Sequence, residues 1–301
     1  MRIRNTGKVC DHVWYLGRVD SGIYLVEGAN ESMIVSGGSS YIIPDILEQL
    51  GDFCIDEESI TKLLILHTHF DHIGTIPFFK HRNPSLELFA SARAWEILNN
   101  PKIVDITNEF SRQTTATVGM TEACDPYDTE WRDDLSGTTI GDGYRFDLGG
   151  IEVEIYETPG HSPCSLSAYI PQLRVLFPSD SAGIPFEDTI IVMGNSNYTL
   201  YQRSLEKLAP FDVDYLCSDH YGYIDGEEAK HFIAASIATA DRCRALIEKT
   251  YTQTKDLETT AGTVYNAHYS GNLFSSLSPE IIRQVCRQMV KHVVKELENN
   301  A

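Results

Sequence analysis

Residues 67 to 72 of the chain read His-Thr-His-Phe-Asp-His, which places three imidazoles and a carboxylate within six positions. These side chains are His67, His69, Asp71 and His72, and they directly follow the aliphatic run 63–66. The chain has 10 histidines among 301 residues. At that frequency the pattern arises by chance in about one such chain in a thousand. Imidazole nitrogens and carboxylate oxygens are ligands of divalent transition metals, so the pattern predicts metal binding.

Three further candidate ligands stand just after predicted strands. His161 follows an alternating strand within TPGHS, Asp180 ends a strand at FPSD, and His220 follows a strand at SDHYG. Strands that end at one sheet edge would bring these groups together, where burial is costly unless the polar groups share a partner. A metal ion is a partner that satisfies all of them.

The spacing of the ligands predicts two ions. His67 and His69 are two positions apart in extended chain and project to one side, whereas Asp71 and His72 follow a tight turn and face another direction. The two oxygens of Asp180 can bridge both ions. The first ion is predicted to bind His67, His69, His161 and Asp180, and the second Asp71, His72, His220 and Asp180. Each ion keeps an open position for a shared water, as catalysis requires.

The remaining histidines have simpler explanations. His12, His81, His231 and His292 stand alone in the sequence, which is typical of solvated residues or of residues satisfied within a helix. His268 lies in a tyrosine-rich predicted loop, where a structural role is favoured over ligand contact.

The charge and the cysteine content indicate which binding partners and which cellular compartment to expect. The chain has 24 Lys and Arg against 43 Asp and Glu, a net charge of −19. Such a surface opposes binding to nucleic-acid phosphates, while a small-molecule substrate needs only a local site. The seven cysteines form no CxxC pair, which favours reduced thiols. Without an apolar span or a secretory signal, we expect a cytoplasmic protein with no membrane partner; an oligomer is compatible with the sequence.

The elements that must position the ligands are strands and helices in alternation. GIYLVEG and SMIVSGG predict a hairpin, YIIPDILEQLG a helix, and KLLILHTH a strand buried on both faces. Thr75 is expected to cap a helix that has Pro77 in its first turn. Residues 91–135 predict helices and an acidic loop inserted between strands as a lid or pocket wall.

Residues after 225 carry a helical pattern. Two helices are predicted, with AGTVYNAHYSGNLFSSLS as the link between them. The pattern predicts a mixed α/β organisation with a helical C-terminal tail that begins at about residue 226.

The motifs HTHFDHIG, TPGHS, PSD and SDH, in this order and at these intervals, resemble those of the metallo-β-lactamase superfamily. The resemblance covers about residues 10–225 and implies the α+β fold class, as an αββα sandwich with a dinuclear site at one edge. It also implies a catalytic domain over residues 1–225 and a helical extension over residues 226–301 that caps the site. Asp71 and His72 together with Asp180 are similar to the glyoxalase II, lactonase and PqsE-like thioesterase branch. True β-lactamases lack the bridging aspartate, so antibiotic hydrolysis is disfavoured. Many relatives carry an aspartate where this chain has Ser36, as an outer support rather than a ligand.

This resemblance implies a hydrolase without a protein nucleophile. Two divalent ions, of Zn, Fe or Mn, would hold a bridging hydroxide that attacks a carbonyl, and Cys164 is expected to be a packed thiol. The expected substrate is a thioester such as an acyl-CoA, which only the resemblance indicates. A lactonase acting on a small cyclic ester and a PqsE-like regulatory protein acting through a partner remain open alternatives.

Candidate substrate-binding residues come from the insertion, from the turn after Asp180 and from the predicted link near the C-terminus. Aromatic side chains there would line an apolar acyl pocket. The candidates are Trp95, Glu187, Tyr265, His268, Tyr269 and Phe274.

Overall fold

The computed structural model describes residues 1–269 and 279–299. Its strands are β1 (Arg2–Ile3), β2 (Gly7–Cys10), β3 (Val13–Gly17), β4 (Gly22–Glu27), β5 (Ser32–Val35), β6 (Ile60–Leu64), β7 (Glu87–Ser91), β8 (Thr138–Ile140), β9 (Arg145–Asp147), β10 (Glu152–Glu157), β11 (Leu166–Ile170), β12 (Val175–Phe177), β13 (Ile184–Phe186), β14 (Thr189–Ile191), β15 (Tyr215–Cys217) and β16 (Tyr223–Asp225). Its helices are α1 (Ile43–Asp52), α2 (Ile76–Arg82), α3 (Ala92–Leu98), α4 (Pro101–Thr117), α5 (Thr121–Cys124), α6 (Tyr198–Leu208), α7 (Gly226–Thr254), α8 (Leu257–His268) and α9 (Pro279–Asn299).

The chain forms two compact units. The first comprises Met1–Glu157, Cys164–Ser179 and Asp212–Lys230. The second comprises Thr158–Pro163, Asp180–Phe211 and the described part of 231–301. The boundary expected after residue 225 stays a prediction.

Two seven-stranded sheets make up most of the first unit. One has the order β2-β3-β4-β5-β6-β7-β8, with antiparallel pairing up to β5 and parallel pairing from β5 to β8. The other has the order β1-β16-β15-β12-β11-β10-β9, with β12 and β15 parallel. Parallel strands are covered on both faces, which explains the uninterrupted apolar run that ends at the first ligand motif.

Alternate residues of the first sheet enter two different cores. Met33 and Leu64 face the second sheet and pack in one cluster with Phe177. Ile34 and Leu63, their neighbours in sequence, point to the other face and pack against the residues of α1, α2 and α3. This period of two is the expected consequence of strand geometry. The predicted α+β class, with two large sheets and a C-terminal helical region, is confirmed.

A loop contact at Gly28 joins the two sheets of this unit. The amide of Ala29 donates to the carbonyl oxygen of Gly149 at 3.1 Å, and that of Asn30 donates to Leu148 O at 3.1 Å. A Cβ atom on Gly28 would lie 1.9 Å from Leu148 O. Neither backbone can yield without breaking these bonds, so a side chain at residue 28 is excluded.

The second unit consists of the β13–β14 hairpin, α6, α8, α9 and most of α7. Buried tyrosines tie its helices together: the Tyr198 hydroxyl donates to Ala240 O at 2.9 Å. The hydroxyl of Tyr251 donates to the Glu298 carboxylate at 2.6 Å, which joins α7 to α9. Within the described ranges, no helix is both long and apolar enough to cross a membrane. All seven cysteines are free thiols.

Two local expectations are wrong. The link predicted from residue 261 onward begins as helix, because α8 continues to His268 and starts at an Asp256 carboxylate that accepts from Thr259 N at 2.7 Å. Thr75 precedes α2, but its hydroxyl makes no cap. It donates instead to Gly37 O at 2.7 Å, which is part of the contact between two loops at the candidate site.

Replacing Gly28 with alanine should strongly destabilise the protein. We expect Gly28→Ala to lower the free energy of unfolding by about 3 kcal/mol, because the new methyl group overlaps backbone atoms.

Gly51→Ala is the matched control, since a Cβ there meets nothing within 4 Å at the end of α1. That control should raise stability by about 0.5–1 kcal/mol. Urea unfolding of the three proteins measures both effects, and equal midpoints for Gly28→Ala and the unchanged protein would contradict the steric account.

Candidate metal centre

The loop after β6 that carries the first four candidate ligands is held by a second loop, after β5. The amide of Gly37 donates to His72 O at 2.9 Å, and the amide of Gly74 donates to Gly38 O at 2.7 Å. A Cβ atom on Gly74 would lie 2.3 Å from Ser40 N, so the loops approach this closely only with glycine at residue 74. The ligand-bearing backbone is therefore fixed before any ion binds.

His67 and His69 direct ring nitrogens at each other. Nε2 of His67 and Nδ1 of His69 lie 3.1 Å apart, and the two rings are nearly perpendicular at 82°. His67 is fully buried, whereas His69 is half-buried. Two nitrogens bound to one tetrahedral zinc ion at 2.0–2.1 Å lie about 3.3 Å apart. The pair has the spacing of two ligands of one ion.

Asp71, His72 and His220 form a second group. The two Nε2 atoms of His72 and His220 are 3.2 Å apart. Oδ2 of Asp71 lies 3.8 Å from Nε2 of His72 and 3.6 Å from Nε2 of His220. The three ligand atoms fall within 4.8 Å of one another, which is the arrangement of a metal-binding cluster.

Hydrogen bonds to Nδ1 fix the tautomers of His72 and His220. Nδ1 of His72 lies 2.8 Å from Oδ2 of Asp219, and Nδ1 of His220 lies 2.7 Å from the carbonyl oxygen of Asp20. A backbone carbonyl oxygen and an ionised carboxylate oxygen accept hydrogen bonds and cannot donate them. Both Nδ1 atoms therefore carry a proton and donate it. In the neutral rings each Nε2 then carries a lone pair. Two such lone pairs at 3.2 Å repel unless a cation, either a proton or a metal ion, lies between them.

His161 and Asp180 lie in the second unit. Gly160 precedes His161 at φ +136°, and a Cβ atom on it would lie 2.1 Å from Tyr201 N, so the TPGHS loop packs directly on α6. Nδ1 of His161 donates to Met193 O at 2.8 Å, and its Nε2 lies 3.3 Å from Oδ2 of Asp180. Burial, with the Asp180 charge as a smaller cause, raises the pKa of Tyr201 well above its ordinary value, so the phenol stays neutral.

Five of the seven predicted ligands thus lie together in the first unit, and the other two contact each other in the second. The first set is His67, His69, Asp71, His72 and His220, and the second is His161 and Asp180. Nitrogen-rich sites with carboxylates suit Zn, Fe and Mn, and the fixed Nδ1–H tautomers leave Nε2 as the ligand atom of four of these histidines. The donor set fits divalent metal ions.

Trp95 and Tyr265, two of the substrate-binding candidates, make packing contacts. The Trp95 indole donates to Thr138 O at 3.2 Å and the ring lies in the core beneath α3. Tyr265, on α8, has the Arg283 guanidinium 3.9 Å from its ring centroid, a cation–π contact within the second unit. Their contact with substrate stays a prediction.

The other candidates differ in their surroundings. Tyr269 is buried and its hydroxyl donates to Val192 O, while Glu187 is exposed at the β13–β14 turn. His268 ends α8, where burial lowers the pKa of its imidazole. Phe274 lies outside the described residues. Substrate contact by these four also stays a prediction.

Sequence reasoning missed Asp219, which lies next to His220 in SDH. Its Oδ2 accepts hydrogen bonds from Nδ1 of His72 at 2.8 Å, from Ser36 Oγ at 2.9 Å and from Ser179 Oγ at 2.5 Å. Ser36 therefore supports the site through a carboxylate from another loop. The SDH motif itself was the available signal, because it offers a second acidic side chain beside a ligand.

An apolar strip beside the ligand loop was also missed. Phe70, between His69 and Asp71 in sequence, stacks on Phe110 of α4 with ring centroids 5.6 Å apart. Ile106 and Ile103 precede Phe110 by four and seven positions, on the same face of the helix. Ile106 is 56% exposed, and Ile103 and Phe110 are each 37% exposed. The expected pocket wall within residues 91–135 thus has an exposed apolar face next to the ligand loop.

Solved structures similar to this chain share its fold. A metallo-beta-lactamase family protein from Thermus thermophilus matches with a TM-score of 0.69 at 15% identity, over 97% of this chain and 95% of that one. An archaeal metallo-beta-lactamase superfamily protein from Sulfolobus tokodaii matches with a TM-score of 0.61 at 17% identity, over 95% and 99%. A stereoselective inverting sec-alkylsulfatase from Pseudomonas sp. matches with a TM-score of 0.65 at 15% identity, over 95% of this chain and 50% of the sulfatase.

A family model described as the metallo-beta-lactamase superfamily matches residues 16–220, more than half of the 301 residues. The matched segment contains all seven predicted ligands, from His67 to His220. The two sheets of the first unit and the histidine and aspartate groups agree with that match. The chain belongs to the metallo-beta-lactamase superfamily.

Proposed function

We propose that this protein is a dinuclear metal-dependent hydrolase. The observation that carries the proposal is the pair of imidazoles His72 and His220, whose Nε2 atoms lie 3.2 Å apart while both Nδ1 atoms donate to oxygen. A cation bound by both nitrogen atoms accounts for this geometry. The Asp71 carboxylate nearby adds a third ligand atom and a negative charge, which supports a divalent metal ion.

The proposed ligands follow the sequence motifs. His67 and His69 would hold the first ion together with His161, while Asp71, His72 and His220 would hold the second. Asp180 would bridge the two ions, which its 3.3 Å contact with Nε2 of His161 supports for the first ion. Membership of the superfamily and the order of the motifs support the complete set.

The chemistry of such a site is hydrolysis. Two divalent ions, when bound, would supply a water that is ionised near neutral pH and would polarise a substrate carbonyl. His72, His161 and His220 hold their Nδ1 protons on fixed acceptors, so these rings would stay oriented without rearrangement during reaction. His69 and Asp71 are half-buried while His67, His72 and His220 are buried, so the substrate would approach from the side of His69 and Asp71.

The apolar strip of Phe70, Phe110, Ile106 and Ile103 supports an acyl group as part of the substrate. It begins inside the ligand motif, at Phe70, and continues along two turns of α4. Exposed apolar side chains in a row mark binding surfaces more often than isolated ones do. An alkyl chain of several carbons would lie along this strip with its carbonyl towards Asp71.

A thioester such as an acyl-CoA is the proposed substrate, on the basis of the similarity to the glyoxalase II and PqsE-like branch. A small lactone is the second candidate, because the same water would open a cyclic ester. The seven free thiols fit a reducing compartment such as the cytoplasm, and the net charge of −19 supports a small-molecule partner over a nucleic acid. A regulatory role through a partner is the alternative that activity measurements test.

Metal analysis tests the proposed site without a substrate. Purified protein loaded with Zn, Mn or Fe(II) should retain two ions per chain, and His72→Ala and His220→Ala should each lose one. His231→Ala is the control, because His231 is exposed on α7 and should leave the content at two. Elemental analysis after gel filtration gives the ratio. Two ions retained in His72→Ala would contradict the ligand assignment.

Thiol release tests the reaction. The metal-loaded protein should hydrolyse at least one member of a panel of acyl-CoA, glutathione and aryl thioesters. Asp180→Asn should lower kcat/KM at least about 100-fold, since it removes the charge that bridges the ions. Asp188→Asn, an exposed change in the same unit, should have no effect. Hydrolysis of lactones alone would replace the thioester proposal, and inactivity towards both with two ions bound would favour the regulatory role.

The apolar strip predicts a chain-length dependence. Ile106→Glu should raise KM for long-chain acyl thioesters about 10-fold or more, because a charged group would displace the alkyl chain. KM for acetyl thioesters should not change. Ala116→Glu is the control on the same helix, because Ala116 is exposed, follows Phe110 in sequence and lies on a different side of the helix from the strip. An equal effect of Ile106→Glu on short and long substrates would show that the strip does not bind the acyl group.

A further inference from the structure

Asp219 is a buried carboxylate at the centre of a hydrogen-bond network. It is 1% exposed, and one of its oxygens, Oδ2, accepts from His72, Ser36 and Ser179. In the part of the chain that the structure describes, no Lys or Arg pairs with it. A buried negative charge is costly unless other groups compensate it. The imidazole of His72 and two hydroxyls supply that compensation at Oδ2, whereas the buried Oδ1 has no hydrogen-bond partner among the described residues.

The backbone around Asp219 is held in place independently of the side chain. The amide of Gly22 donates to Asp219 O at 2.8 Å. The Tyr24 hydroxyl donates to Ser218 O at 2.7 Å and also contacts Gly222 O at 3.2 Å. Both donors lie on β4 of the first sheet, so the SDH loop is fixed against that sheet. The carboxylate position is therefore determined by the fold rather than by the histidine that it contacts.

A second histidine joins the network through Ser179. Oγ of Ser179 lies 2.5 Å from Oδ2 of Asp219 and 3.2 Å from Nδ1 of His67. An ionised carboxylate only accepts, so the serine hydroxyl donates to Asp219 and its oxygen accepts the Nδ1 proton of His67. One carboxylate thus sets the proton position on two histidines, directly on His72 and through one hydroxyl on His67.

We propose that Asp219 is the positioning residue for both ions of the centre, acting on His72 directly and on His67 through Ser179. It thereby supplies from the SDH loop the carboxylate that the superfamily resemblance led us to expect at residue 36. The inference rests on the proposed two-ion centre. A carboxylate on Nδ1–H makes Nε2 a stronger ligand and holds the ring in the binding orientation.

Calorimetric titration of the metal-free protein with zinc tests this role without a substrate. Asp219→Asn keeps the shape of the side chain but removes its charge. It should lower the zinc affinity at both positions, about 10- to 100-fold at His72, which it contacts directly, and less at His67, which it contacts through Ser179. Ser179→Ala should lower the zinc affinity only at His67, because the contact of His72 with Asp219 remains. Asp212→Asn is the matched control, since its carboxylate is 68% exposed and lies 3.4 Å from Arg174.

Moving the carboxylate back to residue 36 separates positioning from a general structural role. Ser36 Oγ lies 2.9 Å from Oδ2 of Asp219, so an aspartate at residue 36 would place its oxygens beside the same imidazole. The double variant Ser36→Asp/Asp219→Ser should bind zinc about 10-fold more tightly than Asp219→Ser alone. The Nδ1-bound proton of His72, followed by NMR on ¹⁵N-labelled protein, should lose its hydrogen-bonded shift in Asp219→Ser and recover it in the double variant.

The outcomes distinguish this inference from the proposed function. Unchanged zinc affinities in Asp219→Asn, with two ions bound by the unaltered protein, would overturn the positioning role and leave the dinuclear centre intact. Failure of the unaltered protein to bind two ions would overturn the proposed function itself. A folded Asp219→Ser variant whose affinity the carboxylate at residue 36 does not restore would assign Asp219 a packing role only.

Discussion

The first unit is organised around two imidazoles that face each other. The Nε2 atoms of His72 and His220 lie 3.2 Å apart, while Nδ1 of His72 donates to Asp219 and Nδ1 of His220 donates to a backbone carbonyl oxygen. Two loops hold the rings in this position: one packs closely at Gly37 and Gly74, and the other is hydrogen-bonded to β4 of the first sheet. The sheets that carry these loops share a large apolar core. The core and the loops together place two nitrogen atoms at the spacing that two ligands of one metal ion have.

Electrostatics at two length scales act in the same direction. The surface of the chain carries a net charge of −19, which raises the local concentration of cations around the molecule. At the site, the carboxylates of Asp71 and Asp219 lie beside imidazole nitrogens at short range. Several nitrogen and oxygen donors that converge on one point favour a divalent ion as their partner. The negative net charge and the carboxylates of the ligand cluster therefore both favour binding of a cation.

Much of this arrangement was predictable from the sequence, because its signals are local. The spacing of His67, His69, Asp71 and His72 specifies two ligand directions within six residues, and the apolar run before it specifies a buried strand. The role of Asp219 was not predictable, because it arises only when loops more than 140 residues apart along the chain meet. The helix over 257–268 was hidden by its threonines, a glycine and a tyrosine, which are weak helix formers, although Asp256 is a good N-cap residue. Thr75 was expected to cap α2 from its local sequence, but its hydroxyl donates instead to Gly37 O, a contact between two loops that the local sequence does not show.

The histidines differ in what holds their Nδ1 protons, and this difference has an evolutionary consequence. His220 and His161 donate to backbone carbonyl oxygens, which every amino acid presents, so substitution of the residue that carries the acceptor leaves these rings in place. His72 and His67 depend on the side chains of Asp219 and Ser179, which single nucleotide changes can alter. Two of these rings are therefore held by acceptors that substitution does not remove, and two by acceptors that substitution can remove. Changes at Asp219 or Ser179 can alter the orientation of His72 and His67, and with it the metal preference of the proposed ligands, without replacing any proposed ligand.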